Sequence, residues 1–166
     1  MINSIPEDKL VYEEVRFSSK RIPSSIIETF PILEGGILLD IEQSEFNLLN
    51  SVLALIIMSD PDFKEFNYHE ILTELFDIQT RSLHNLNIQE WIELLTAYLS
   101  NIDIKNTSFL FINSDTEMMF FHNESSKNNK ENIFIIVKDR EKYNSIYFSD
   151  HVKREIIFDD VISRII

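Results

Sequence analysis

Four histidines are the residues best suited to bind a metal ion or to move a proton near neutral pH. They are His69, His84, His122 and His151, so consecutive histidines lie 15, 38 and 29 residues apart. No pair has the i, i+4 spacing that lets two imidazoles on one helix bind the same zinc ion. Glu70 directly follows His69, but a single His-Glu pair in the first turn of a helix is usually solvated. We therefore expect no catalytic metal.

Carboxylates are abundant and unevenly distributed. Twelve Asp or Glu lie between Asp40 and Asp103 against two bases, so this segment carries −10 of the net charge of −13. From Thr107 to Ile166, eight bases nearly balance ten acids. General acid–base catalysis needs two carboxylates in different environments, one of them desolvated, and the sequence shows no such contrast. We expect most of these acids to be solvated charge, and keep a carboxylate-dependent hydrolase as an alternative.

Other catalytic and cofactor patterns are missing from the sequence. It contains no cysteine, which excludes disulfides, thiolate ligands and cysteine nucleophiles. Its two glycines, Gly35 and Gly36, are adjacent, so neither GxGxxG nor GxxxxGK can occur. No serine has the glycine-flanked setting of a nucleophile elbow. Asp60-Pro61-Asp62 resembles the start of a calcium loop but lacks its glycine and distal glutamate. We expect no enzymatic activity and no cofactor.

The chain of 166 residues, 44% of them apolar, is long and apolar enough for one domain with a real core. Its first nine residues lack the basic and apolar regions of a signal peptide. The longest apolar run, Val52 to Met58, is much shorter than the roughly 20 residues of a membrane span. These features predict a soluble cytoplasmic protein whose residues 1–166 form a single domain.

Three main helices are predicted, each preceded by a pair of residues that can form a capping box. The first is apolar on nearly all sides and should be a central helix that ends at Asp60-Pro61. The second spans about Tyr68 to Thr80, and the third about Ile88 to Ser100. The capping pairs are Asp40 with Gln43, Asn67 with Glu70, and Asn87 with Glu90.

Extended segments are predicted on both sides of these helices. Upstream lie an N-terminal strand, a short helical turn that Ser25 and Glu28 can cap, and a turn at Gly35-Gly36. Downstream, apolar residues recur at every second position instead of at the helical spacing of about 3.6 residues, which indicates a hairpin and two further strands. For the tail, the sequence leaves two structures: a strand over Glu155 to Phe158 that extends the sheet, and a last helix capped by Asp159. The predicted strands are Leu10 to Phe17, Thr107 to Asn113, Glu117 to His122, Asn132 to Lys138 and Tyr143 to Phe148.

This order of elements predicts an α+β fold: an N-terminal strand and three main helices, followed by a mostly antiparallel sheet of about four to six strands. The hairpin within Phe109 to His122 has apolar residues on both faces, so either both faces are covered or one receives a partner. Methionine favours the second slightly, because its flexible side chain suits surfaces that repack, but we expect that both faces are packed in the core. The loop Asn123 to Glu131, rich in Lys and Asn, could protect the strand edge when no partner is bound.

In size, acidity, lack of cysteine and order of elements, the chain resembles the immunity proteins of bacterial contact-dependent growth inhibition systems. The residues that suggest this are Glu70, Glu74 and Asp77, which lie at i, i+4 and i+7, and the apolar late strands. The resemblance implies a protein that binds and neutralises a cognate toxin domain, often a nuclease. Some such proteins accept a toxin hairpin onto their own sheet by strand addition.

The charge distribution is compatible with that function, because acid repels nucleic acid and membranes but steers basic proteins inward. An acidic adaptor or DNA mimic is the alternative, although a mimic should carry carboxylates over most of its surface. We predict that the basic partner contacts acids of the −10 segment and residues of the hairpin. The predicted contact residues are Asp60, Asp62, Glu65, Glu70, Glu74, Asp77, Met118, Phe120, His122 and Glu124.

Overall fold

The computed structural model describes residues 10–12, 14–60, 62–63 and 67–165. Seven strands in these residues form one sheet in the order β1-β2-β3-β7-β6-β4-β5. Neighbouring strands are antiparallel except β4 and β6, which are parallel. The α+β class and the mostly antiparallel sheet are confirmed. The strands are β1 (Leu10–Tyr12), β2 (Val15–Lys20), β3 (Ile37–Ile41), β4 (Ser108–Asn113), β5 (Met118–Phe121), β6 (Ile133–Asp139) and β7 (Lys142–Tyr147).

Helices cover both faces of the sheet. One face shares an apolar cluster with α2, α3 and α4, and the other shares a second cluster with α1 and α5. Side chains alternate between the clusters along β3, β4 and β6, as Leu38 and Leu39 do in β3. The α-helices in the described residues are α1 (Ser24–Thr29), α2 (Asn47–Ser59), α3 (Tyr68–Ile78), α4 (Ile88–Asn101) and α5 (His151–Ile165).

Helix α2 is the central helix that the sequence predicts. Eleven of its thirteen residues are buried, and it ends before Asp60, as expected. Its predicted cap is wrong, because Asp40 lies within β3 and α2 begins after Phe46 with no side-chain cap. A polar contact fixes the next helix to it, since the Tyr68 hydroxyl donates to Asn50 Oδ1 at 2.7 Å.

Local hydrogen bonds explain where the other helices begin. Asn87 caps α4 in a full capping box with Glu90, and Asn67 caps α3 by accepting from the Glu70 amide at 3.1 Å. The capping box predicted at Ser25 is wrong, because α1 follows Pro23 and has no side-chain cap bond. The turn predicted at the two glycines is confirmed, with Gly35 at φ 95°.

Near the two ends of the chain, the structure differs from the elements that the sequence predicts. The single N-terminal strand is a pair, because β1 and β2 are antiparallel neighbours in which Tyr12 faces Val15; the intervening Glu13 lies outside the described residues. The tail is helical from His151, so neither a strand over Glu155 to Phe158 nor a cap at Asp159 occurs. The Asp150 carboxylate accepts from the Val152 amide at 2.9 Å instead.

The predicted late hairpin is confirmed as β4 and β5. The chain then crosses the end of the sheet through a 3₁₀ helix, Glu124–Asn128, and enters β6 on the other side of β4. This crossover makes β4 and β6 parallel and, among the described residues, leaves β5 at one edge of the sheet. Among the described helices, none is long and apolar enough to span a bilayer.

Candidate partner-binding surface

The outer side of α3 carries three carboxylates, Glu70, Glu74 and Asp77, which we call the acidic ridge. Glu70 and Asp77 are exposed, and Glu74 is half-buried. The opposite side of α3 is apolar and buries Ile71 and Leu75, so packing fixes the ridge toward the outside. Within the described residues, no basic group lies within ion-pair distance of the ridge.

Two other acids of the same segment, Asp40 and Glu90, do have counter-charges. Asp40 pairs with Lys20 at 2.5 Å and with Lys142, and Glu90 pairs with Arg81. Burial raises the pKa of the Asp40 carboxyl, but the hydrogen bonds and charges of Lys142 and Lys20 outweigh it and leave that pKa below its ordinary value. The ridge thus places three carboxylates that have no counter-charge among the described residues next to one another on one helix.

The ridge reaches the boundary with α4. Burial raises the pKa of the buried Tyr98 hydroxyl to about 12, and the negative charge of Glu74 contributes to the same shift. Glu74 is therefore close enough to α4 for its charge to affect the ionisation of Tyr98. This position agrees with its partial burial.

Phe76 is an exposed aromatic side chain on α3 that sequence reasoning missed. It is 51% exposed and immediately precedes Asp77 of the ridge. The signal was available, because Phe76 lies outside the inward stripe formed by Ile71, Leu72 and Leu75. Exposed aromatics are common anchors in protein interfaces, and their rings also attract cationic side chains.

The remaining predicted acids of this region lie between α2 and α3. Asp60 follows the last residue of α2, and its carboxylate accepts from the Asp62 amide at 3.0 Å. This contact is a helix-ending turn, as predicted. Glu65 lies outside the described residues.

The hairpin geometry determines which amides of β5 face outward. Asn113 donates to the Glu117 carbonyl and Thr116 donates to the Asn113 carbonyl, both at 3.0 Å. These two bonds, with Thr116 at φ 63°, form a three-residue hairpin loop closed by a bulge. Because hydrogen-bonded and non-hydrogen-bonded pairs alternate along the ladder, the N–H groups of Met118 and Phe120 point away from β4.

The side chains of β5 divide between the two faces of the sheet. Phe120 faces α5, where its ring lies 5.5 Å from Phe158 and is stacked at 5.0 Å by His122. Phe121 faces the other cluster and contacts Phe111, and the neighbouring Met119 is 53% exposed. The expected apolar character of both faces is therefore present, but the five residues Ser108 to Ile112 of β4 are buried and no residue of β5 is.

The loop after β5 contacts the start of β4, and none of its described contacts is with the outer edge of β5. Ser126 Oγ donates to the Thr107 carbonyl at 3.2 Å, which attaches the loop to the start of β4. Glu124 is exposed and pairs with Lys127 at 3.5 Å. The loop thus closes the end of the sheet, and the short length of β5 is the feature that limits its edge.

A groove of about 600 Å³ lies between α4 and β5. Its α4 wall presents Glu93 and Thr96, and its β5 wall presents Phe121. A segment aligned with the β5 edge would have this groove beside it. The full lining is Gln89, Ile92, Glu93, Thr96, Ala97, Ser100, Thr107, Phe109, Phe120, Phe121, His122 and Asn123.

Two glutamates meet at one other pocket, of about 390 Å³, which Tyr68 and His69 also line. Both acids, Glu14 and Glu45, are exposed, and the Glu45 carboxylate contacts His84. Neither is desolvated as a general acid requires. In the part of the chain that the structure describes, no three His, Asp or Glu side chains are grouped to hold a metal ion.

The sheet keeps the predicted contact residues in two groups rather than one site. The ridge and Asp60 lie on the α2 side, whereas Met118 and Phe120 pack on the α5 side. What the two groups share is α4, because the charge of Glu74 acts on Tyr98 and Phe120 lines the groove beside α4. Comparisons with protein-family models, with curated proteins and with solved structures found no match. Function is therefore inferred from the charge and geometry of these surfaces.

Proposed function

We propose that this chain is a cytoplasmic immunity protein, of the kind that protects bacteria using contact-dependent growth inhibition, and that it binds and neutralises a cognate basic toxin domain. The observation that carries this proposal is the acidic ridge of α3. Its three carboxylates lie together on one helix and lack counter-charges in the described residues, whereas Asp40 and Glu90 of the same segment are paired. Three like charges at i, i+4 and i+7 repel one another, so their arrangement costs stability unless a binding partner offsets it.

A nuclease toxin suits this surface because a site that holds phosphates must be basic. A basic domain would be steered toward the −10 segment, and the effect would weaken as salt screens the charges. Phe76 would then supply an apolar contact within the acidic surface. Aromatic anchors surrounded by charged residues are typical of tight protein interfaces.

The edge of β5 supports strand addition as the mode of docking. The outward amides of Met118 and Phe120 can pair with a strand of the toxin, which supplies affinity through main-chain hydrogen bonds. Alternate side chains of that strand would enter the groove beside α4, where Glu93 favours a basic residue. The ridge would act mainly on the rate of association and the edge on the lifetime of the complex.

The DNA-mimic alternative has less support from the charges. Two of the three acids of α5 have basic partners, because Asp159 pairs with Lys130 and Asp160 with Arg164, each at 2.9 Å. A mimic of nucleic acid instead needs unpaired carboxylates spread over its surface. The hydrolase alternative needs a desolvated acid beside a solvated one, and the pocket of Glu14 and Glu45 does not provide it.

Co-expression tests the proposal directly. The C-terminal domain of the protein encoded by the neighbouring gene is expressed in cells with and without the chain. We expect the toxin to stop growth, the chain to restore it, and the two to form a one-to-one complex in size-exclusion chromatography. Growth arrest that persists at full expression of the chain, with no complex formed, would refute the immunity function.

A further inference from the structure

Strands β6 and β7 separate at one end of the sheet. Their ladder ends at the pair Ile135 and Ile146. Phe134 is still paired with Phe109 of β4, and Tyr147 is still paired with Ile37 of β3. Each strand thus continues against its outer neighbour while a gap opens between them.

Arg154 of α5 spans this gap. Its Nε donates to the Glu131 carbonyl at 3.0 Å and its Nη1 donates to the Phe148 carbonyl at 2.5 Å. These carbonyls belong to the two segments that the ladder no longer joins. The guanidinium therefore satisfies both carbonyls and holds the segments apart.

The gap leads into a cavity of about 290 Å³ between the sheet and the end of α2. Polar groups in its wall are already satisfied by the protein: Ser59 Oγ donates to the Leu55 carbonyl, and the Tyr147 hydroxyl donates to the Met58 carbonyl. The rest of the wall is mainly aliphatic and aromatic. The apolar lining is Leu55, Ile56, Phe63, Ile102, Ile104, Ile133, Phe134, Ile135, Ile146 and Phe148.

We propose that this cavity is a binding site for a small neutral apolar molecule, such as a single aromatic ring or a short alkyl chain. An apolar cavity of about 150 Å³ already stays dry and binds benzene in a well-studied engineered protein. The wall has few charged side chains, Asp60, Glu131 and Arg154, and they carry both signs. The apolar surface that makes up most of the lining therefore favours an uncharged molecule.

Methyl NMR with indole as the probe tests the site on the whole chain. We expect saturable shifts confined to methyl groups of the lining, such as those of Leu55, Ile133 and Ile146. The variant Ile104→Phe should weaken indole binding by about tenfold or more, because it fills part of the cavity. The matched control Ile88→Phe changes another half-buried isoleucine outside the lining, and should leave the affinity within about twofold; a tenfold change corresponds to about 1.4 kcal/mol.

Two results would overturn the proposal. One is the absence of saturable shifts up to the solubility limit of indole. The other is a set of shifts centred on methyl groups outside the lining. If Ile104→Phe fails to fold, nuclear Overhauser effects between indole protons and the lining methyl groups of the unaltered chain decide instead. The proposal does not depend on the immunity function, since neither the probe nor the variants involve a toxin.

Discussion

The amide of Asn113 donates a 3.0 Å hydrogen bond to the carbonyl of Glu117, and this bond sets the phase of the β4–β5 ladder. The opposite side of β4 agrees, because the Ser108 amide donates to the Asn132 carbonyl at 3.0 Å, toward β6. Even-numbered residues of β4 therefore bond to β6 and odd-numbered ones to β5. As a result, the amides of β5 alternate: one bonds to β4, and the next faces outward.

Proline substitutions should distinguish these two kinds of amide. Phe120→Pro removes an outward N–H, whereas Phe121→Pro removes an amide bonded to β4. Each is compared with alanine at the same position, so that loss of the ring cancels. We expect proline at 121 to cost about 1–3 kcal/mol more than alanine in urea unfolding, and proline at 120 clearly less. Phe120→Pro should also abolish toxin binding if docking is by strand addition.

Equal proline penalties at the two positions would mean that β5 is not a free edge. If Phe120→Pro keeps its stability and its binding, β5 is an edge but the toxin docks elsewhere. The immunity function and its docking mode are thus tested separately.

Neutralising the acidic ridge should slow association with a basic toxin. The triple variant Glu70→Gln, Glu74→Gln, Asp77→Asn removes three charges from the outer side of α3 without altering its apolar side. We expect a slower association rate below about 50 mM salt and a weaker dependence on salt, measured by stopped flow, because steering depends on the local field.

The control for the ridge removes the same charge elsewhere. Asp139→Asn, Glu141→Gln, Glu155→Gln changes two exposed acids and one half-buried acid, which matches the exposure of the ridge. The two variants then remove the same charge from side chains of matched exposure and differ in where those side chains lie. If both slow association equally, total charge steers the toxin and the ridge has no special part.

Features set by local sequence could be predicted. The caps at Asn67 and Asn87 use hydrogen bonds that span three residues, and the apolar surface of α2 predicts its burial. The β4–β5 hairpin is also local, because alternation and a short turn suffice. These interactions depend little on the rest of the chain.

Features set by distant residues could not be predicted. Asp40 had the spacing of a helix cap, but Lys142, over one hundred residues later, pairs with it in the sheet. The parallel pairing of β4 and β6 depends on a crossover that leaves no local pattern. In α5, charged residues between Ile157 and Val161 hide the helical spacing of the side chains that face the sheet.

The confirmed cap at Asn87 and the wrong prediction of a cap at Ser25 lead to a paired test of stability. Asn87→Ala removes an acceptor that bonds the Glu90 amide at 2.8 Å, so it should lower the free energy of unfolding by about 1 kcal/mol. Ser25→Ala removes a side chain that caps nothing and should change stability by less than about 0.5 kcal/mol. Urea unfolding measures both. A larger loss at Ser25 than at Asn87 would contradict the assignment of the caps.

Asp40 should make stability depend on pH in acid. Its carboxyl has an ordinary pKa of 3.8 when unfolded, and its lower pKa in the fold reflects Lys142 and Lys20 acting against burial. A depressed folded pKa means that the unfolded chain takes up the proton first as the pH falls. The stabilisation is therefore complete above pH 3.8 and is lost as the pH falls through the folded value.

The variant Asp40→Asn isolates this effect, because it keeps the shape of the side chain and removes its charge. We expect the variant to be less stable than the unaltered chain at pH 6, since Lys20 and Lys142 lose their shared partner. The difference should stay constant down to about pH 4 and shrink below it, as the ordinary aspartate pKa requires. Urea unfolding between pH 2 and pH 6 gives both curves. A difference that grows toward acid would mean that the two lysines do not hold the Asp40 charge.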